Sequence, residues 1–559
     1  MSYEGRLELT WTNKALRLLA HEDSSYEWVP PSDYRVAEVR LLDAVTTVGA
    51  VGSVRSRDNL LVQGDALNAL RSLARLPEFA REYLGKVKLA YLDPPFNTQQ
   101  SFLHYDDALE HSVWLTMMRD RLAEIWELLA PTGSVWVHLD DSEIGHGRVM
   151  MDQLLGPTSF VGTVLWESRY SRSSDAALSV SHNYLLVYAK DPGVWRAVRN
   201  RLPRTQEQAK QYRNPDGDPK GPWRILPLDA PEVRSKLAYP ITTPSGRICY
   251  PPPGRHWSMT EDRWADVVAA GRAYFGKRGT GTPGIKRYLS EVEQIVPNTW
   301  WSHEECGHTD EAKKEIISLF PGVEAFSTPK PERLMHRIIQ IATDPNEIVL
   351  DCFVGSGTTA AVAHKMGRRW VAIEREAATI QQFALPRLSK VVSGEDLRGV
   401  TSLTGWRGGG GFRVLDVAQS MFESDAGLVF LGTWMTNGRL AEATAAQLGY
   451  EYEVAPPFSG RKGRTRLAVI DGVVNEAVVS IIVGALGEGE RVVVCGTGID
   501  TDARPILREL RPGSSLRKIP AALLDEYRSS RQLRLDLAVA GETAALGDSR
   551  SADEVTNQP

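Results

Sequence analysis

The chain is poor in cysteine. Its 559 residues include four, Cys249, Cys306, Cys352 and Cys495. They lie far apart with no CxxC pair, so neither a disulfide framework nor a zinc site is expected, and no metal is called for. Long apolar runs are missing as well. The longest, Val478–Leu486, falls far short of the ~20 residues a membrane-spanning helix needs. The opening MSYEGRLELTW lacks a basic segment followed by an apolar core, so no signal peptide is expected. These absences suit a soluble protein of the reducing cytoplasm with no membrane partner. Nor does one charge sign dominate, since 65 Lys+Arg against 70 Asp+Glu leave a net charge of −5. A nucleic-acid partner needs local positive potential, so this balance neither supports nor excludes one. No GxxxxGK[ST] phosphate loop and no internal repeat occur, so the chain is expected to carry no motor of its own.

What is present is a globular composition with 42% hydrophobic residues and 15 tryptophans. The length suggests three or four domains. Residues 1–58 read as an extended lead-in, broken at Pro30–Pro31. From Asn59 strands alternate with helices. Asn59–Gln63, Lys86–Leu92, Ser134–Leu139 and Tyr184–Ala189 read as strands, and Ser112–Ala130 as an amphipathic helix. Ile348–Phe353, a glycine loop, helix Thr358–Met366 and strand Arg369–Ile373 form a βαβ unit. This alternation predicts a doubly wound α/β sheet. The expected divisions are 1–58 lead-in, 59–190 first α/β half, 191–300 an inserted module rich in Pro, Gly, Arg and Trp, 301–395 second half, 396–535 a smaller C-terminal domain, and 536–559 a disordered tail.

Three short motifs carry chemistry. The first, Asp93-Pro94-Pro95-Phe96, directly follows the strand VKLAYL. α/β enzymes place their chemistry at the carboxyl ends of strands. An aromatic amine is a poor nucleophile because its lone pair is delocalised into the ring. The Asp93 carboxylate and the Pro94 carbonyl could hold both of its N–H groups, and Phe96 offers a face for stacking an extruded base. A tight turn ending a strand is the plain alternative. The second motif runs from Asp351 through Phe353, Gly355, Ser356, Gly357 and Thr358, with Glu374 after the next strand. Its glycines permit a tight turn beneath a ligand at a helix N-terminus, and Glu374 could take a ribose diol. It equally fits a dinucleotide fingerprint, which keeps a nicotinamide- or flavin-dependent oxidoreductase open. The third, Thr328-Pro329-Lys330-Pro331-Glu332, is also ordinary helix-start chemistry.

Taken together, the three resemble the β-group of DNA amino-methyltransferases, especially the modification subunits of type III restriction–modification systems. In that group the catalytic tetrapeptide precedes the cofactor loop and a target-recognition module lies between them, which is the order found here. LVQGDALNAL at 61–70, HLDDSEIG at 138–145, SHNYLLVYAKD at 181–191 and GHTDEAKKEI at 307–316 are similar to the same family. The resemblance spans roughly 59–415. It implies a Rossmann-like methyltransferase sheet in permuted order, S-adenosyl-L-methionine as cofactor, and transfer to an exocyclic amine of DNA. Asp93, Pro94, Pro95 and Phe96 would be catalytic. Asp65, Lys330, Asp351, Phe353, Gly355, Ser356, Gly357, Thr358 and Glu374 would bind the cofactor. The family more often has Tyr at the Phe96 position, and its amino-cytosine members usually have Ser at Asp93, so Asp93 favours adenine N6 over cytosine N4.

The inserted module carries Arg196, Arg199, Arg201, Arg204, Lys210, Arg213, Lys220 and Arg224, interleaved with Tyr212 and Trp223. A solvated charged loop is one reading. Within this family pattern, Arg199, Arg201, Arg204, Lys210 and Arg213 are expected to touch DNA. His182 and His308 are expected to be structural hydrogen-bonding residues. The resemblance further implies double-stranded DNA as partner, a homodimer, and a helicase–nuclease restriction subunit or another defence-system partner. A DNA-binding subunit without catalysis is the rival that an intact Asp93–Phe96 opposes.

Overall fold

Apolar stretches that end abruptly in chain-breaking residues organise the molecule around one sheet. The computed structural model describes residues 8–21, 25–97, 110–172, 174, 177–204, 209–292, 294–324 and 326–529. The tail expected at 536–559 lies outside them. Two units are present: one from Met1–Arg199 with Asn298–Pro559, the other from Asn200–Pro297.

The first unit is built on ten strands. In chain order they are β1 (Leu42–Gly49), β2 (Asn59–Gln63), β3 (Val87–Leu92), β4 (Leu129–Leu139), β5 (Phe160–Glu167), β6 (His182–Ala189), β7 (Trp300–Trp301), β8 (Ile348–Asp351), β9 (Arg369–Glu374) and β10 (Gly411–Val417). Their order across the sheet is β7-β5-β6-β4-β3-β8-β9-β2-β10-β1. The six strands from β4 to β10 are mutually parallel, while β6 and β1 run antiparallel to their inner neighbours. All four residues of β8 and five of six in β3 are buried, as strands covered on both faces must be.

The crossovers decide where a ligand can sit. From β3 the chain passes through helix α1 (His111–Leu128) to β4 on one side; from β8 it passes through α2 (Thr358–Lys365) to β9 on the other. Because the connections leave in opposite directions, the carboxyl ends of β3 and β8 flank an open crevice, the usual ligand position in doubly wound sheets.

The expected first boundary differs from the fold. The lead-in contributes β1, an edge strand of the main sheet, paired with β10 from Leu42↔Val417 to Gly49↔Gly411. Helix Pro192–Val198, expected in the inserted module, belongs to the first unit. Residues beyond β10 form a five-stranded sheet of Glu451–Ala455, Phe458–Lys462, Thr465–Val474, Arg491–Ile499 and Ser515–Lys518, in that order. This segment is part of the first unit and is tied to the lead-in. Gln447 accepts from Val39 N at 3.0 Å and donates to Val39 O at 2.6 Å, and Tyr527 Oη donates to Gln447 at 2.7 Å.

The second unit consists of short antiparallel pieces, chiefly Trp223–Pro227 on Gly284–Tyr288, with a helix at Glu261–Ala269. Leu228, Ile241, Trp257 and Trp264 form a small core of its own. Lys286 bridges Asp216 at 2.5 Å and Asp218 at 2.6 Å, pinning the Asp216–Asp218 turn onto this sheet.

Candidate active site

The crevice at the end of β3 and β8 is a cavity of about 440 Å³. Segments some 260 positions apart meet in its wall: Asp93–Phe96, Thr328–Lys330, the loop Asp351–Ser356 with Thr358, and Glu374. Of the expected catalytic and cofactor residues, only Asp65 and Gly357 fall outside this lining.

Asp93 leaves β3 just where the strand stops. Its Oδ2 accepts from Lys330 Nζ at 2.5 Å, and the same ammonium lies 5.0 Å from the centroid of the Phe96 ring. The turn is fixed from behind, because Trp114 Nε1, on a fully buried side chain of α1, donates to Pro95 O at 2.7 Å. Phe96 rests against His138, ring centroids 5.4 Å apart. His138 is bonded through Nδ1 to Tyr91 Oη at 2.9 Å and meets Trp166 edge-on. Burial, then the nearby Lys330 charge, pushes His138 well below the ordinary imidazole range, so the ring under Phe96 is neutral. Burial lifts the Tyr91 phenol well above its usual range.

The glycine loop is held by carboxylates. Phe353 N donates to Asp351 Oδ1 at 2.9 Å, Gly355 N to Glu374 Oε2 at 2.8 Å, and Glu376 N to Glu374 Oε1 at 3.0 Å. Burial raises Asp351 to about 7, against the hydrogen bonds from Thr359 and Phe353; burial also raises Glu374. Gly355 (φ +51°) and Gly357 (φ +79°) are left-handed, and a Cβ on Gly355 would come within 3.0 Å of the Phe326 ring in the same wall. Gly357 caps α2 from beneath.

Asp65 serves the scaffold instead. One oxygen caps helix Ala66–Arg75 through Leu67 N and Asn68 N, and the other accepts from Arg121 at 2.8 Å. It is Arg121, which the sequence did not single out, that reaches the cavity.

Lys365, Arg387 and Asp396, missed in the sequence, tie Lys330's segment to the loop through Glu332. Glu332, the first residue of helix Glu332–Ala342, is buried and takes Lys365 Nζ on both oxygens at 2.8 Å and Arg387 at 2.9 Å. Lys365 also pairs with Asp396 at 2.7 Å. Arg387 then donates to Thr358 Oγ1 at 2.8 Å and Ser356 O at 3.3 Å. One buried guanidinium therefore sets the spacing between the Lys330 element and the glycine loop. Nothing in the sequence paired these residues, which are up to 64 positions apart.

The expected DNA-contacting residues divide. Arg201, Lys210 and Arg213 are exposed; Arg199 and Arg204 are partly buried. Arg204 donates to Val292 O at 2.5 Å, and its guanidinium and that of Arg224 each lie 5.5 Å from the Tyr212 ring. Tyr212 and Trp223 are themselves buried, so they belong to the unit's interior and present no open stacking face. His182 bonds Tyr184 Oη at 3.0 Å, and His308 caps helix Thr309–Leu319 by accepting from Glu311 N at 3.3 Å, both structural roles.

The DNA methylase family (N6/N4 type) matches residues 87–384, more than half of the chain and both walls of the cleft. The chain belongs to that family. It is 32% identical over 339 residues to the type III restriction-modification enzyme StyLTI Mod subunit of Salmonella typhimurium, covering 55% of this chain and 50% of that protein. It is 29% identical over 314 residues to type II methyltransferase M.EcaI of Enterobacter cloacae, covering 54% and 66%. It thus spans about half to two thirds of the length of these curated relatives. Among solved structures, PvuII DNA methyltransferase (cytosine-N4-specific) aligns with 60% of this chain and 90% of its own, at 15% identity and a TM-score of 0.33. Among the described residues no helix is long and apolar enough to cross a membrane.

Proposed function

We propose that this chain is a site-specific DNA methyltransferase that moves the methyl group of S-adenosyl-L-methionine to the exocyclic amine of an everted base, N6 of adenine. The observation that carries the reading is the shared cavity, in which the Asp93–Phe96 turn faces the glycine loop. The wall fits such a cofactor. Glu374 spends one lone pair of each oxygen on the loop backbone and keeps capacity for a ribose diol. Gly355, bare of a Cβ that would press on Phe326 at 3.0 Å, lets that ring and the loop share the wall without a side chain between them. When bound, the cofactor supplies an electrophilic methyl group on a sulfonium. The chain's own residues supply orientation.

An incoming base displaces Lys330 from two places at once, the Asp93 carboxylate and the Phe96 face. Stacking on Phe96 contributes on the order of 1–3 kcal/mol. Asp93 and the Pro94 carbonyl accept the two amine N–H bonds, pyramidalise the nitrogen so that its lone pair leaves conjugation with the ring, and stabilise the positive charge that develops on nitrogen until one N–H proton is lost by way of Asp93 to solvent. The neutral His138–Tyr91 pair keeps the ring bed rigid without adding charge beneath the base.

Target recognition is assigned to residues 200–297, supported by the exposed Arg201, Lys210 and Arg213. The proposed partners are double-stranded DNA, a second copy of the chain, and a helicase–nuclease restriction subunit, within restriction–modification or phage defence in the cytoplasm. Sequencing the DNA of a host expressing the chain, with modified-base detection, tests the whole reading. The expected product is N6-methyladenine at one recurring sequence. N4-methylcytosine would overturn the base assignment, and unmodified DNA with a folded, cofactor-binding protein would overturn the activity.

A further inference from the structure

Beside the catalytic turn, but outside the cavity, lies a cluster that the mechanism does not use. His111 is the first residue of α1; Glu143 directly precedes helix Ile144–Leu155, and His146 stands on its first turn. Glu143 Oε1 lies 2.6 Å from His111 Nδ1, and Oε2 lies 3.1 Å from His146 Nδ1. The imidazole centroids are 5.1 Å apart, and one ligand atom from each of the three residues falls within 4.8 Å of the others. Asn97, the residue after Phe96, donates to Glu143 Oε1 at 2.7 Å.

The Glu143 side chain is 0% exposed, whereas those of His111 and His146 are 54% and 47% exposed. Among the described residues no lysine or arginine pairs with Glu143; its ion-pair partners are the two imidazoles. A buried carboxylate is costly unless its charge is matched. A divalent cation shared by all three residues would match it, and their ligand atoms already converge. Two imidazoles and a carboxylate are a usual donor set for zinc and its neighbours, with a further position left open to solvent. Such an ion holds N and O ligands at about 2.0–2.2 Å, which puts two ligands about 3.2–3.6 Å apart. From 2.6 and 3.1 Å the two half-exposed rings would have to draw back from Glu143 by up to about 1 Å while closing on each other.

We propose that His111, Glu143 and His146 bind a divalent transition-metal ion of the zinc class, with Asn97 as the outer partner that ties the ion to the Asp93–Phe96 turn. The site is structural, and the proposal does not depend on the methyl-transfer reading. The test uses the full-length chain, stripped with a chelator and titrated with cobalt(II), followed by visible absorption, and with zinc, followed by elemental analysis and thermal unfolding. A single equivalent should bind, with the absorption bands of a nitrogen- and oxygen-ligated cobalt and a raised unfolding temperature. His111→Ala and His146→Ala, both at half-exposed positions that should tolerate the change, should each weaken binding at least about 100-fold, because losing a mere outer partner already costs roughly 10–100-fold. His182→Ala should leave binding unchanged. Absence of binding to the folded chain, or equal binding in the His111→Ala/His146→Ala double variant, would overturn the site.

Discussion

The two units handle charge in opposite ways. In the first, Glu332, Lys365, Arg387 and Asp396 are sealed from water and bonded to one another beneath the glycine loop. In the second, Arg201, Lys210 and Arg213 stand in solvent on turns and beside short antiparallel pieces. The difference matches what the proposed function asks of each unit. Orienting an amine demands that the Asp93 turn and the loop stay fixed within a fraction of an ångström, which buried and mutually bonded groups achieve. Attracting a phosphate backbone demands only mobile cations near a surface. A buried network makes its unit fragile to single changes, whereas an exposed set degrades gradually.

The largest break should come at the turn. Asp93→Ala should lower methyl transfer to mixed DNA on the order of 100–1,000-fold or more, the range seen when one aligned hydrogen-bonding group is removed. Calorimetry should find cofactor binding nearly unchanged; full activity would refute the role. Next, Lys365→Met leaves Glu332 and Asp396 facing each other without their shared cation. Chemical denaturation should show a loss of about 3–5 kcal/mol, the usual cost of removing one partner of a buried pair.

A smaller effect concerns acidity. Asp351 has a folded-state pKa raised to about 7, against an ordinary value of 3.8. The folded chain therefore holds a proton that the unfolded chain releases. The stability this brings is fully present below the unfolded value and lost as pH rises towards 7, with a slope approaching about 1.4 kcal/mol per pH unit. Asp351→Asn should flatten that slope between pH 5 and 7 in thermal unfolding; an unchanged slope would assign it elsewhere. The smallest stability change belongs to the second unit. Replacing Arg201, Lys210 and Arg213 together by Ala should leave folding stability within roughly 0.5 kcal/mol. It should weaken DNA binding at all sequences and reduce the salt dependence by about 0.9 for each phosphate left without its cation.

The sequence was most legible where physics leaves least choice. Asn59–Gln63 and Val87–Leu92 are buried on both faces and end in turn-forming residues, so hydrophobicity and breakers mark them together. The glycine loop and the Asp93 turn were legible for the same reason, as strand ends. By contrast β1 exposes most of its length, with the burial of an edge strand, and its LDAVTTVG carries no apolar alternation. β7 is two residues long, too short for any period. Side-chain partnerships across the fold were the least legible. Lys330 reaching Asp93 across 237 positions, or His111 meeting Glu143 across 32, leaves no local trace. Only Glu143-x-x-His146, one helical turn apart, carried a hint.

The seam between β3 and β8 has a consequence for the gene. These strands adjoin by ladder pairing alone, Val349 beside Leu89 and Leu350 beside Ala90, although the ribosome makes them more than 250 residues apart. Translation order therefore leaves the junction indifferent. Relocated termini, or two separately expressed fragments parted within residues 200–297, could rebuild the same floor, and evolution is free to shuffle the halves while the reacting groups stay put.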